Sequence, residues 1–241
     1  MPKIKHLPTQ VVEMIAAGEV AERPAVIVKE LIENAIDAAA TSISIELTKA
    51  GLEKIKITDN GVGIEPTDIP LAYLRHTTSK IRSLDDLYQL TSYGFRGEAL
   101  ASIAQVGQLT LRSRTLDQPH GWQVMVNRDQ ATEPTPIGMA QGTTLIVTHL
   151  FETLPVRKKF LGNLSTELRH ITQVVLTEAL VHPKIAFTLI HDGTTLLKVT
   201  SQTEWLERVT SLLAIADTSL CVPINQTDDL FSCEVLLVRP N

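Results

Sequence analysis

The chain lacks the features that mark secreted, zinc-binding and membrane proteins. It has only two cysteines, Cys221 and Cys233, which are too far apart for a Cys-x-x-Cys motif and have no histidine cluster beside them. We therefore expect a protein of a reducing compartment with no structural zinc. No apolar run approaches the roughly 18 residues of a membrane-spanning helix, and residues 1–8 lack the apolar core of a signal peptide. The sequence thus predicts no membrane association and a cytoplasmic location, or a nuclear one if the source is a eukaryote.

The chain also lacks an excess of positive charge. Its formal net charge of −5 at pH 7 argues against a protein that coats nucleic acid by bulk charge alone, although a local basic groove stays open. Hydrophobic residues make up 44% and charged residues 20% of the sequence, which is the composition of an ordinary globular protein. The 241 residues suffice for one large domain, or for one domain and part of a second.

Hydrophobic periodicity predicts alternating helices and strands. Helices are expected at residues 24–39, 98–106, 165–181 and 203–213, and strands at 42–47, around Ile55 up to Asp59, and at 108–113, 122–126, 143–148, 186–190, 196–199 and 231–238. Residues 61–94 show no sustained apolar pattern, which predicts a long mobile segment with short helices, and such a segment is more often functional than idle. The pattern changes after about residue 202, so we predict one domain over 1–200 and the beginning of a second over 201–241.

A first polar island, ELIENAID at residues 30–37, lies on the first predicted helix. Steps of three and four residues place Glu30, Asn34 and Asp37 on one stripe, which is most simply a solvated face. However, asparagine is a poor helix former, and the stripe lacks the lysines at i+4 that a solubilising face usually carries. In a functional interpretation, Glu30 accepts a proton from a water attacking a γ-phosphate, and Asn34 binds Mg²⁺ through its amide oxygen. Both interpretations stay open on this island alone.

A second island, DNGVG at residues 59–63, follows a predicted strand. Its composition is that of a simple turn, which is the favoured interpretation if the island stands alone. The alternative is a carboxylate at a strand end beside glycines that allow close approach to a flat ring. Because a carboxylate only accepts hydrogen bonds, Asp59 would suit the amine of adenine and repel the oxygen of guanine.

A third island, GFRGEAL at residues 94–100, leads directly into a predicted helix. A glycine-bounded turn at a helix N-terminus presents unpaired N–H groups to an anion, and Lys80 adds a cation. The segment is neither a Walker A loop nor a dinucleotide fingerprint. The simpler interpretation is a helix start, where the dipole favours Glu98 in any case.

The three islands together resemble the ATP sites of the gyrase, heat-shock chaperone, histidine kinase and MutL superfamily. Three longer strings, IAAGEV at 15–20, RHTTSK at 75–80 and GFRGEALASI at 94–103, are similar to the MutL family of mismatch-repair proteins in particular. The resemblance extends from residue 4 to about residue 200. It implies an α/β (α+β) two-layer sandwich, in which helices on one face of a mixed sheet hold ATP.

The resemblance also implies roles for individual residues. Glu30 would be the general base, Asn34 the Mg²⁺ ligand and Asp59 the adenine contact. The remaining residues implied to bind ATP are Asp37, Gly63, Thr78, Ser79, Lys80, Gly94, Phe95, Arg96, Gly97, Glu98, Ala99, Leu100 and Thr143. The implied function is a Mg²⁺-dependent ATPase clamp that dimerises on ATP, with itself or a paralogue, and couples a MutS-type mismatch-recognition protein to strand removal.

Two departures from the family pattern qualify this expectation. Ala39 stands where the family often has glycine. The family's second domain supplies a lysine to the γ-phosphate, and the sequence stops before such a segment, so a nucleotide-switched dimerisation module with negligible turnover is the alternative function. A histidine kinase is disfavoured because no phosphoacceptor-helix pattern precedes the ATP motifs. The basic run at residues 157–159 beside Phe160 is equally a weak DNA contact or a solvated turn.

Overall fold

The computed structural model describes residues 21–78, 80, 92–94, 97–128, 130–213, 221–227 and 232–238. The IAAGEV motif at residues 15–20 lies outside the described residues. In chain order the helices and strands are α1 (Pro24–Asp37), β1 (Ser42–Thr48), β2 (Lys54–Asp59), α2 (Ala99–Val106), β3 (Gln108–Arg114), β4 (Gly121–Asn127), β5 (Gln130–Ala131), β6 (Thr135–Ile137), β7 (Gly142–Thr148), α3 (Pro155–Phe160), α4 (Leu164–Val181), β8 (Ala186–His191), β9 (Thr194–Val199), α5 (Trp205–Leu212), β10 (Cys221–Thr227) and β11 (Ser232–Val238).

A mixed sheet of nine strands carries the fold. Its strands lie in the order β5-β4-β3-β7-β2-β1-β8-β9, and β6 also pairs with β4. The β1–β8 pair is parallel, whereas the other pairs in this sheet are antiparallel. Asp192 and Gly193 form the hairpin turn between β8 and β9, with φ angles of 47° and 80°, the left-handed conformation that a two-residue hairpin turn requires.

Alternation along the strands creates one apolar face, which the helices cover. In β1 the side chains of Ile43, Ile45 and Leu47 are buried, whereas the residues between them are partly exposed. The apolar stripes of α1 and α4, which include Ile32 and Val175, join these strand residues in a single core. Burial of such stripes is the main source of helix stability in a protein of this size. The predicted two-layer sandwich with a mixed sheet is therefore confirmed.

Helix α1 ends two residues earlier than its apolar pattern predicts. Ala39 has φ 57°, which is left-handed. The Ala39 N–H donates to the Ile36 carbonyl at 2.9 Å and the Ala40 N–H to the Ala35 carbonyl at 3.1 Å. This pair of bonds is the Schellman motif, which closes a helix C-terminus and is usually built around glycine.

The expectation of short helices within residues 61–94 is wrong for residues 61–78, which form a series of turns. The bonds there close successive turns, such as those from the Asp68 N–H to the Glu65 carbonyl and from the Ala72 N–H to the Asp68 carbonyl, both 2.9 Å. Pro66 and Pro70 lack the N–H groups that a continuous helix needs. The short elements β5, β6 and α3, and strand β10, are absent from the sequence predictions.

One helix and a two-stranded ribbon follow the large sheet. Helix α5 packs against α4, and its Arg208 side chain is fully buried and donates to the carbonyls of Pro183 and Ile185 beyond the end of α4. Strands β10 and β11 pair with each other as a separate antiparallel ribbon. Within the described residues, no helix has the length and apolar character needed to cross a bilayer.

Candidate nucleotide-binding site

Helix α1 presents the predicted polar stripe beside its buried apolar face. Pro24 is accommodated at the start of this helix because the first turn has no partner for an N–H there. Glu30, Asn34 and Asp37 are each partly buried. A solvated face does not account for Asp37, because its side chain is only 9% exposed.

The Asp37 carboxylate joins the first and third islands. Its Oδ1 accepts a hydrogen bond from the Tyr93 N–H at 3.2 Å, and its Oδ2 accepts one from the Gly94 N–H at 3.2 Å. The Lys80 ammonium donates to the same Oδ2 at 2.5 Å and lies 3.3 Å from Asn34 Oδ1. Asn34, Asp37, Lys80 and Gly94 therefore meet at one point, although Gly94 is 60 residues from Asn34 in the numbering.

The RHTTSK and GFRGEAL motifs also pack against each other. The His76 N–H donates to the Gly97 carbonyl at 3.0 Å, and the Thr78 hydroxyl accepts from the Lys80 N–H at 3.1 Å. Gly97 has φ 61°, and a Cβ placed on it would lie 2.3 Å from the Thr77 carbonyl oxygen, so only glycine fits. Glu98 immediately precedes α2, and Ala99 and Leu100 are the first two residues of this helix. Ser79, Phe95 and Arg96 lie outside the described residues.

Asp59 ends β2 with a buried carboxylate. Its Oδ1 accepts hydrogen bonds from the Gly61 N–H at 2.8 Å and the Thr143 N–H at 3.3 Å. Burial raises the pKa of this carboxyl above its ordinary value, and the two backbone hydrogen bonds oppose the rise. The second island is thus a turn, as its composition predicts, and in addition it holds a buried acid.

The second island touches the end of α1. The Val62 N–H donates to the Ala38 carbonyl at 2.9 Å. Gly63 has φ 80°, and a Cβ on it would lie 2.2 Å from the Arg114 carbonyl oxygen. The loop is therefore held between α1 and β3, which places Asp59 and Asp37 at the same end of the sandwich.

Sheet register gives Thr143 its position. In the β2–β7 pair Thr143 lies opposite Asp59, and in the β3–β7 pair it lies opposite Ser113. The Ser113 and Thr143 hydroxyl oxygens are 2.9 Å apart, and Ser113 Oγ accepts from the Ile64 N–H at 2.8 Å. Sequence reasoning missed Ser113, because a serine within a strand carries no local signal of its partners.

Two further residues were missed beside the third island. The Tyr93 hydroxyl lies 2.8 Å from His182 Nε2, at the C-terminal end of α4.

Among the described residues, no group of three or more His, Cys, Asp and Glu side chains is arranged to hold a metal ion.

The fold is an α/β sandwich, a helix-covered mixed sheet with an amide, two carboxylates, a lysine and a glycine segment gathered at one end. The chain belongs to the histidine kinase-, DNA gyrase B- and HSP90-like ATPase family, whose model matches residues 22–146, and it is of the MutL type. The resemblance found in the sequence is thereby confirmed.

The relatives carry this assignment. The DNA mismatch repair protein MutL of Histophilus somni (strain 2336) is 53% identical over 191 residues, which are 79% of this chain and 31% of that protein. MutL of Carboxydothermus hydrogenoformans is 48% identical over 193 residues, or 80% of this chain and 33% of the relative. The Aquifex aeolicus MutL ATPase domain complexed with ADP superposes with a TM-score of 0.68 at 30% identity, covering 85% of this chain and 72% of that domain. The chain spans about a third of the length of the curated relatives it matches.

Proposed function

We propose that this chain is the ATP-binding and ATP-hydrolysing part of a clamp that acts in DNA mismatch repair. The observation that carries the proposal is the convergence of Asn34, Lys80 and the Gly94 backbone on the buried Asp37 carboxylate. Two remote motifs have no structural need to meet at a helix stripe, whereas a triphosphate site needs a metal ligand, a cation and backbone N–H groups together.

Adenine recognition is assigned to Asp59. Both backbone hydrogen bonds of this carboxylate go to Oδ1. Its Oδ2 is thus the oxygen that would accept a hydrogen bond from the exocyclic amine of adenine. The oxygen of guanine at the same position would face a buried carboxylate and be repelled. Gly63 is proposed to lie beside the ring, in a loop that its missing side chain allows to pack against the Arg114 carbonyl, and the Thr143 N–H keeps the carboxylate in place.

The residues fit a Mg²⁺ ion. The amide oxygen of Asn34 and the carboxylate of Asp37 both contact the Lys80 ammonium, so two oxygen atoms that can bind a cation are gathered at this position. Asn34 would hold Mg²⁺, with the remaining ligands from phosphate and water. When bound, the ion would supply charge neutralisation at the β- and γ-phosphates.

Glu30 is assigned as the general base, because it lies one turn before Asn34 on the same stripe. It would take the proton of a water whose oxygen attacks the γ-phosphorus, while the bond from that phosphorus to the bridging oxygen of ADP breaks. Lys80 would balance phosphate charge, with Thr78, Ser79 and residues 94–100 around the phosphates. Ser79, Phe95 and Arg96 stay predictions.

The clamp itself is the wider part of the proposal. We place the chain in the cytoplasm of a bacterium, dimerising on ATP with a second copy or a paralogue and acting after a MutS-type mismatch-recognition protein. Weak DNA contact through residues 157–159 is included, because this basic run lies on the short helix α3 beside Phe160, which is 83% exposed. Residues from 201 onward would begin a second domain.

The test is ATP binding by calorimetry, with and without Mg²⁺, for the wild type and Asp59→Asn. Binding that depends on Mg²⁺ and is lost in the variant supports the site, whereas no binding by the wild type contradicts it. Turnover is then measured for Glu30→Ala, which should bind ATP and lose hydrolysis. Unchanged residual turnover would remove Glu30 as base and leave the nucleotide-switched dimerisation module as the better description.

A further inference from the structure

We propose that His182 is a positioning residue for the nucleotide site, and that it acts through Tyr93 on the Gly94 segment (residues 92–94). The inference rests on the proposed function. The Tyr93 hydroxyl lies 2.8 Å from His182 Nε2. The two rings also meet edge to face, with centroids 5.6 Å apart and planes at 73°. Such an aromatic contact adds to the hydrogen bond and fixes the orientation of the tyrosine ring.

Tyr93 is held at both of its ends. Its side chain contacts His182, and its backbone N–H donates to Asp37 Oδ1 at 3.2 Å. The next residue, Gly94, donates its N–H to the other oxygen of the same carboxylate. The His182 contact therefore sets where the peptide between Tyr93 and Gly94 lies relative to Asp37, Lys80 and Asn34.

The two partners differ in how firmly they are fixed. The His182 N–H donates to the Glu178 carbonyl at 3.0 Å, which caps α4. The buried Arg208 guanidinium of α5 donates through Nη2 to the carbonyls of Pro183 and Ile185, both at 2.5 Å. His182 thus stands on an anchored stretch of backbone. Tyr93, in contrast, is 45% exposed, so its ring can move off His182 without opening the buried core.

Charged groups of three helices surround this contact. Glu178 of α4 approaches His182 Nε2 to 3.7 Å, and burial with the charge of Glu33 raises the pKa of Glu178. Lys29 and Glu33 of α1 form an ion pair beside it. Arg208 of α5 is bonded to the carbonyls that follow His182. Of these groups, the Glu178 carboxylate is the one that approaches the imidazole ring itself.

Burial lowers the pKa of His182 below its ordinary value of about 6.5. The neutral ring is therefore favoured while Tyr93 is packed on it, and the released form binds a proton more readily. As the pH falls towards the pKa of the released imidazole, protonation of His182 shifts the equilibrium from the packed form of Tyr93 to the released form. Nucleotide affinity should consequently fall on acidification, because the Gly94 segment loses one of its two attachments.

The experiment measures the affinity of a fluorescent ADP analogue between about pH 8 and about pH 5.5. It uses the wild type, Tyr93→Phe, which removes only the hydroxyl, and His182→Gln, which keeps a polar side chain that does not titrate. His170→Gln is the control, because this histidine lies on the same helix α4, and no contact between it and Tyr93 is found in the described part of the chain.

The wild type and the control should lose affinity about fivefold or more on acidification, the equivalent of one hydrogen bond. His182→Gln should give a flatter profile, and Tyr93→Phe a weaker affinity at neutral pH. If all four proteins bind with the same profile, the positioning role is overturned, even if the variants melt at lower temperature. If the wild type does not bind the analogue at any pH, the proposed function fails instead. Should His182→Gln not fold, Tyr93→Phe alone decides.

Discussion

Replacing Ala39 by glycine should stabilise the protein, which reverses the usual effect of removing a methyl group. Ala39 is the left-handed residue of the Schellman motif that ends α1, with φ 57°. The two closing hydrogen bonds run from the N–H groups of Ala39 and Ala40, and both remain in the variant. The methyl group of Ala39 is on an exposed residue, so its removal leaves no cavity. Backbone conformation is therefore the main quantity that changes.

The magnitude follows from two opposing effects. A left-handed conformation costs an alanine about 1–2 kcal/mol relative to glycine. Glycine also increases the conformational freedom of the unfolded chain, which reduces the gain in the free energy of unfolding by about 0.4–1 kcal/mol. The expected net gain in the free energy of unfolding is about 0.5–1 kcal/mol, which for a chain of this length raises the melting temperature by about 1–4 °C.

Urea unfolding and thermal melting of the purified chain measure this gain. Ala38→Gly is the matched control, since the neighbouring residue has φ −80° and ψ 13°, which alanine adopts without strain. The free energy of unfolding of the control should fall by about 0.5–1 kcal/mol, because glycine at this position relieves no strain in the folded state and only increases the conformational freedom of the unfolded chain. A loss of stability in Ala39→Gly equal to that in Ala38→Gly would refute the assignment of a strained left-handed alanine.

Two further predictions concern the second island. Because burial raises the pKa of Asp59, its charge opposes folding, and the stability it confers when protonated is lost as pH rises through its pKa. Asp59→Asn keeps an oxygen that can accept from the Gly61 and Thr143 N–H groups. In urea unfolding at neutral pH the variant should therefore be at least as stable as the wild type, even though it loses ATP binding. Marked destabilisation of the variant would contradict the cost of a buried charge at Asp59. Gly63→Ala should lose at least about 2 kcal/mol, since its Cβ would lie 2.2 Å from the Arg114 carbonyl oxygen; a wild-type unfolding midpoint in urea would rule out this close approach.

Local periodicity explains how much of the fold was predictable. Helix α1 buries apolar side chains at helical spacing, and strand β1 buries every second side chain. Both patterns can be recognised within a window of a few residues. The end of α1 was misjudged because Ala39 is an apolar residue that gives no sign of a left-handed conformation. Strands β5 and β6 have two and three residues and exist through pairing with β4, so no period was available to predict them.

In the candidate site, likewise, features with a local sequence signal could be predicted, whereas contacts between distant residues could not. Glycines at the ends of elements and a polar stripe on a helix are local signals, and they indicated Asp37, Asp59 and Gly97. The contact between Tyr93 and His182 joins residues 89 positions apart. No local pattern records such a contact, because α1, α4 and the Gly94 segment come together only through tertiary packing.

Sheet register supplies what the motifs leave undetermined. A transverse row crosses four neighbouring strands, with Ile43 opposite Asp59, Asp59 opposite Thr143, and Thr143 opposite Ser113. All four side chains point to the helix-covered face, because they continue the buried alternation of their strands. A slip of one residue in β2 would move Asp59 to the other face together with Ile55 and Ile57. The burial of those isoleucines therefore fixes the position of the acid, which makes the apolar core a determinant of the proposed adenine contact.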